Sequence, residues 1–157
     1  MRRATEGLMK KLVLGFVSAL AFAGSANAGD WRLIYVDDRD AIAVEAGSVR
    51  RTGTTAVGWV AIIYAKTESG IDYALSRRQF DCAASTVKTL SILLYTADGE
   101  SAGSNHNMTE TKPVAPDTLE DHTFRAVCYD EAMGSKSPWE SVTALLATYR
   151  RNSPPRS

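Results

Sequence analysis

Histidines, clustered cysteines and glycine-rich loops are what this sequence has least of, and each shortage removes a class of chemistry. Of 157 residues only two are histidine and two are cysteine. Nucleophilic catalysis needs a base within reach of a serine or cysteine. Only His106, in a polar loop, and His122, on the outward side of a helical segment, are available. A zinc site needs three or four converging ligands, and no such group accompanies either histidine. No CxxC redox pair is present. The glycines at 53, 58, 70, 99 and 103 are scattered turn residues that form no phosphate-binding loop. Charge of one sign is also missing: 18 basic residues balance 18 acidic ones. Nucleic acid and anionic membranes therefore have no electrostatic reason to bind.

A long hydrophobic span is absent too. The apolar run Leu12–Ala23 is shorter than the about 20 residues of a membrane helix. It follows Arg2, Arg3, Lys10 and Lys11, with Met9 as an alternative start, and precedes Ser25-Ala26-Asn27-Ala28. A basic opening, a short apolar centre and an Ala-x-Ala site read as a secretory signal peptide over 1–28. No cysteine follows that centre, so no lipid anchor is expected. Cleavage takes away four basic residues and one acidic one, leaving 129 residues with a net charge of −3. Two cysteines in an exported chain read as one disulfide, Cys82 to Cys128, with two free thiols as the alternative.

Alternation of apolar side chains predicts strands over Trp31–Val36, Ala41–Glu45, Ala56–Lys66, Ile71–Cys82 and Ser85–Thr96. Glu100–Lys112 is a weakly patterned last strand or loop. Ala56–Lys66 is apolar on both faces and should be central. Asp37-Asp38-Arg39-Asp40, Glu68-Ser69-Gly70 and Asp98-Gly99 are turns. The apolar phase changes within Ile71–Cys82, which predicts a bulge near Ser76–Arg78. Beyond Pro116, Asp117 and Glu120 resemble a capping box opening a helix that carries Leu119, Thr123, Phe124, Val127 and Cys128. Ser137-Pro138-Trp139-Glu140 predicts a second helix, with Trp139, Val142, Leu145, Leu146 and Tyr149 as its packing stripe. Strands followed by helices argue for an α+β domain, with a small antiparallel sheet of about six strands crossed by one C-terminal helix and joined by another. Residues 151–157 read as a disordered tail.

No catalytic, cofactor or metal site is expected. The carboxylate pairs Asp37-Asp38 and Glu120-Asp121 fit turns and helix starts better than a glycosidase. The Asp37–Asp40 cluster lacks the glycine and the distal glutamate of a calcium loop. Arg50-Arg51 and Arg77-Arg78 are the candidate partner-binding residues, as a basic patch for acidic partners or sulfated glycans; solvated strand ends are the alternative.

The order of features is an N-terminal tryptophan strand, then Ser48-Val49-Arg50-Arg51, then the Trp59 strand. After these come Tyr73-Ala74-Leu75, Phe80-Asp81-Cys82, Tyr95–Gly99 and Pro116 before the Cys128 helix. It resembles the surface-adhesin protein E family of bacterial envelope proteins over Trp31–Tyr129. The resemblance implies a sheet crossed by a helix, a Cys82–Cys128 disulfide within a 29–131 domain, and binding of extracellular-matrix proteins. The 132–150 helix is additional to it, and the chain lacks the namesake's anchoring cysteine. The expectation is therefore an exported, non-catalytic binding module whose partners are extracellular-matrix or envelope proteins, with no nucleic acid and no membrane anchor. The alternative is a soluble periplasmic structural, envelope-assembly or inhibitor protein.

Overall fold

A computed structural model describes residues 29–107, 109–133 and 138–152. The expectations for the leader, the Ser137 helix cap and most of the 151–157 tail lie outside the described residues; Arg151 and Asn152, expected in that tail, are instead helical. Five long strands carry the molecule: β1 (Trp31–Val36), β2 (Asp40–Glu45), β4 (Thr55–Glu68), β5 (Ile71–Asp81) and β6 (Thr86–Tyr95). Three short ones, β3 (Arg50–Thr52), β7 (Ser101–Asn105) and β8 (Lys112–Pro113), join them. The sheet is antiparallel in the order β1-β2-β4-β5-β6-β7, with β3 beside β4 and β8 beside β6. Two helices follow, α1 (Leu119–Tyr129) and α2 (Val142–Asn152).

The turns follow from their residues. Asp37 Oδ1 accepts the N–H groups of Arg39 (2.7 Å) and Asp40 (2.8 Å), which closes the acidic turn on itself. Ser69 and Gly70 both take positive φ, 50° and 80°, as a tight turn between twisted strands requires. Gly53, at φ 58°, folds β3 back on β4 within a stretch whose sequence reads as loop.

Each face of β4 packs under a different helix. Ala61 and Ile63 share one cluster with Ala41, Ala43, Tyr73 and the α2 residues Val142, Leu145, Leu146 and Tyr149. Ala56 and Val60 share the other with Ile42, Val44, Phe80 and the α1 residues Phe124, Ala126 and Val127. Phe80 is fully buried, a contribution of about 2–3 kcal/mol for a side chain of its size. Its ring meets Phe124 at 6.2 Å.

Three local expectations need correction. β5 pairs with β4 without interruption from Tyr73 to Asp81. The irregularity lies opposite, in β6, where Leu90 is skipped between Arg77–Ser91 and Arg78–Thr89. The apolar phase changes along β5 because α2 covers its odd side chains at one end and α1 its even ones at the other. The α1 cap is Thr118, not Asp117: Thr118 is extended (φ −104°, ψ 168°) and its hydroxyl accepts the Asp121 N–H. Asp117 sits left-handed at φ 59°, which an N-cap cannot be. Finally, α2 starts at Val142. Trp139 is extended and exchanges backbone hydrogen bonds with Trp31 at 2.9 and 3.1 Å, so the Ser141 hydroxyl receives the first-turn N–H of Ala144 instead.

Candidate functional site

The sheet end where β5 turns into β6 is closed by one covalent bond. Cys82 is bonded to Cys128 with their Cα atoms 5.7 Å apart across 46 positions. Around it the Arg51 guanidinium donates from Nε (2.9 Å) and Nη2 (2.6 Å) to the Val127 carbonyl, and from Nη2 to Asp130 Oδ1 (2.7 Å). Carbonyls at a helix C-terminus lack intrahelical donors, and a cation there also meets the negative end of the helix dipole. Tyr129 adds a hydrogen bond from its hydroxyl to the Cys82 carbonyl (3.2 Å). Arg51 is thus committed to holding α1.

The four arginines do not meet in one patch, because strand parity divides them. Arg51 stands opposite Ala56, which stands opposite Phe80, and this row faces α1. Arg78, two residues from Phe80, faces the same way. Arg50 stands opposite Val57, itself opposite Gln79, and Arg77 opposite Trp59, on the other face. There the α2 cluster covers the Ala61–Ile63 end, and Trp59 packs against its edge. The remaining surface presents exposed Arg50, Arg77 and Gln79 around half-buried Val57, Trp59 and Lys88. Arg50 Nη1 reaches back only to the carbonyls of Gly47 and Val49.

Arg78 is buried, at 8% exposure. Its Nε donates to Ser76 Oγ (2.9 Å), while its Nη1 lies 3.9 Å from Glu120 Oε1, beyond hydrogen-bond length. Burial works against the guanidinium's charge, and the Glu120 carboxylate supports it. The group opens into a cleft of about 210 Å³ lined by Thr89, Thr109, Lys112, Thr118 and Glu120 among others. Sequence reading missed this cleft. The signal was there in parity, since Arg78 must share a face with Phe80.

A partly buried ion pair seats α2. Arg150 Nη1 meets Asp72 Oδ1 at 2.6 Å, and its Nε and Nη2 donate to the Tyr64 carbonyl at 3.2 and 3.0 Å. Thr67 Oγ1 and the Ala97 N–H also donate to the Asp72 carboxylate. These bonds, led by Thr67, hold the Asp72 carboxyl below the usual carboxylate range against the opposing effect of burial.

Of the histidines, His106 is exposed in its loop. His122 is not on an open side as expected: it is half-buried and stacks on Tyr35 at 4.8 Å, because β1 runs beneath that side of α1. Asp37 is held below the usual carboxylate range, chiefly by the Asp40 and Arg39 amides, whereas burial raises Asp40. Glu120 faces Arg78, and Asp121 pairs with Arg125 at 2.8 Å, so these two carboxylates serve separate partners. Among the described residues, no group of three or more His, Cys, Asp or Glu side chains is placed to hold a metal ion.

Fold and surface together define a disulfide-tied antiparallel α+β module with exposed arginines beside a half-buried tryptophan on one face and a cleft floored by an arginine on the other. The pattern of the surface-adhesin protein E family matches residues 31–129, more than half of the chain, and the chain belongs to that family. It is similar to protein E from non-typeable Haemophilus influenzae, whose crystal structure matches with a TM-score of 0.43. Identity is 12%, covering 78% of this chain and 88% of that one. Among curated proteins, none matches. Membership of a surface-adhesin family implies an exported protein, and the disulfide fits an oxidising compartment. No described helix is long and apolar enough to cross a membrane.

Proposed function

We propose that the chain is an exported, non-catalytic binding module that docks extracellular-matrix or envelope proteins on the sheet face opposite α1. The observation that carries this reading is the pair of rows Arg50–Val57–Gln79 and Trp59–Arg77, in which Arg50, Arg77 and Gln79 are exposed around Val57 and Trp59, the latter half-buried at the edge of the α2 cluster. Tryptophan and arginine are enriched where protein partners bind most strongly, tryptophan for its large rigid contact area and arginine for its several directed donors. The exposed cations recruit acidic partner surfaces although the chain as a whole carries no net positive charge. Family membership and the reading of 1–28 as a signal peptide support export. Arg51, which holds α1, and Arg78, buried beneath α1, lie on the opposite face and stand outside this surface.

The test joins location with binding. Protease shaving of intact cells is expected to digest the protein, whereas release only by osmotic shock would place it in the periplasm and favour an envelope-assembly role. Binding to immobilised matrix proteins is expected to fall by roughly tenfold or more in Arg50→Glu/Arg77→Glu and in Trp59→Ala, as hot-spot residues do. Unchanged binding in both variants, with unaltered melting, would rule this face out.

A further inference from the structure

The Arg78 cleft lies on the other side of the sheet from the proposed docking face and makes an independent case. A guanidinium that is nine-tenths buried ordinarily gives its terminal nitrogens to carboxylates or carbonyls, since an unpaired buried charge is costly. Among the described residues only Nε is satisfied, by Ser76. Among the described residues the terminal nitrogens meet no acceptor within hydrogen-bond distance, and the nearest carboxylate, Glu120, is about half exposed and stands off at 3.9 Å. They line the cleft instead.

The walls supply further donors. Thr89 and Thr109 close one side by exchanging hydrogen bonds: the Thr109 N–H donates to the Thr89 carbonyl, and the Thr89 N–H to Thr109 Oγ1. Among the described residues neither threonine O–H has an acceptor, so both can donate into the cleft. Lys112 stands exposed at the rim, brought there by the pairing of β8 with Thr86 and Val87. The first turn of α1 forms the opposite wall, with Thr118 and Glu120. Thr118 is already used, accepting from Asp121 and donating to Ala115, so it shapes the wall without binding. Two cations against one half-exposed carboxylate leave the cleft positive, beside a helix N-terminus that favours anions.

We propose that this cleft binds one small tetrahedral oxyanion, a phosphate or a sulfate, with Arg78 at its floor, Thr89 and Thr109 at its wall and Lys112 at its rim. Donors converging from three sides suit an anion whose oxygens point in several directions; a planar carboxylate would be satisfied by the guanidinium fork alone. The cleft holds a single head group and not an extended chain. Glu120 competes with the ligand for Arg78 and swings out as it enters.

Calorimetric titration of the disulfide-bonded protein with inorganic phosphate, inorganic sulfate and acetate tests the assignment. Saturable one-to-one binding of phosphate or sulfate, with acetate weaker, is the expected result, and the stronger of the two identifies the ligand. Glu120→Gln is expected to tighten binding, and Lys112→Glu to weaken it, by roughly two- to fivefold or more, the effect of one screened charge. Arg78→Met should abolish it. That variant removes a buried side chain and risks the fold, so the two rim variants decide if it does not fold. Absence of saturable binding to the unaltered protein overturns the proposal. So does an affinity that neither rim variant changes, or acetate binding as tightly as the tetrahedral anions.

Discussion

The two helices seal opposite faces of one sheet by different means. α1 is tied to its face covalently, through Cys82–Cys128, and clamped at its C-terminal carbonyl by Arg51. α2 has no covalent tie. It is held by its apolar stripe, by the Trp31–Trp139 backbone bridge and by the Arg150–Asp72 pair. The difference follows from what each covers: α1 lies within the family-matched residues 31–129, and α2 lies beyond them. A family core therefore carries its own fastener, and the added helix must be seated by contacts. Neither helix spans its whole face, and each uncovered remainder holds an arginine-centred surface.

Breaking the α1 fastener should have the largest effect. Cys82→Ser or Cys128→Ser is expected to cost about 2–5 kcal/mol, as loss of a native disulfide in a small exported domain does. Chemical denaturation with and without reductant measures it. If the contrast between helices is right, reduction exposes the α1 amides to hydrogen exchange first and leaves those of α2 protected. Unchanged melting on reduction would remove the distinction.

The α2 seat comes next. Asp72→Asn leaves Arg150 facing a neutral amide and should cost about 2–3 kcal/mol near neutral pH, below the range for fully buried pairs because Arg150 is a quarter exposed. Its pH dependence has a defined sign. The Asp72 carboxyl is held below its usual 3.8 in the folded chain, so its contribution is fully present above that value. That contribution drains as the pH falls from 3.8 through the lower folded value. The melting gap between the unaltered chain and Asp72→Asn should therefore be widest at neutral pH and close in acid. A gap that widened on acidification would show that the carboxylate does not hold the helix.

Much of this frame was legible in the sequence, for reasons that differ by element. The long strands and the sheet-facing stripe of α2 announce themselves because their burial is periodic. The disulfide was expected from two cysteines in a chain whose opening residues read as an export leader. What escaped was set by partners distant along the chain. β8 is two residues long and exposed, and only pairing with Thr86 and Val87 orders it. Lys112 reaches the Arg78 cleft by that pairing alone. The arginine doublets misled more simply. Adjacent residues on a strand point to opposite faces, so Arg50-Arg51 and Arg77-Arg78 each contribute one side chain to an open surface and one toward α1. Helix starts shifted because backbone conformation, not side-chain type, chose between Asp117 and Thr118, and because Trp139 found a strand to pair with.

The smallest effect is also the sharpest test of that parity. Arg50 and Arg51 are neighbours of one residue type, both exposed, and composition cannot distinguish them. Their bonds do: Arg51 reaches across 76 positions to Val127, whereas Arg50 stays with Gly47 and Val49 beside it. Arg51→Met is expected to destabilise by about 1 kcal/mol, the usual net worth of charge-assisted hydrogen bonds at a partly exposed helix end. Arg50→Met should stay within about 0.5 kcal/mol of the unaltered chain, as surface changes do. Denaturant midpoints would resolve the two, and exchange at Val127–Asp130 should quicken only in Arg51→Met. In a Cys82→Ser background the Arg51 effect should grow, because the clamp then holds the end of α1 alone and the two changes share one element. Equal effects of the two arginines would mean that the Arg51 clamp adds nothing to the fastener, and the docking of α1 would rest on its disulfide and packing.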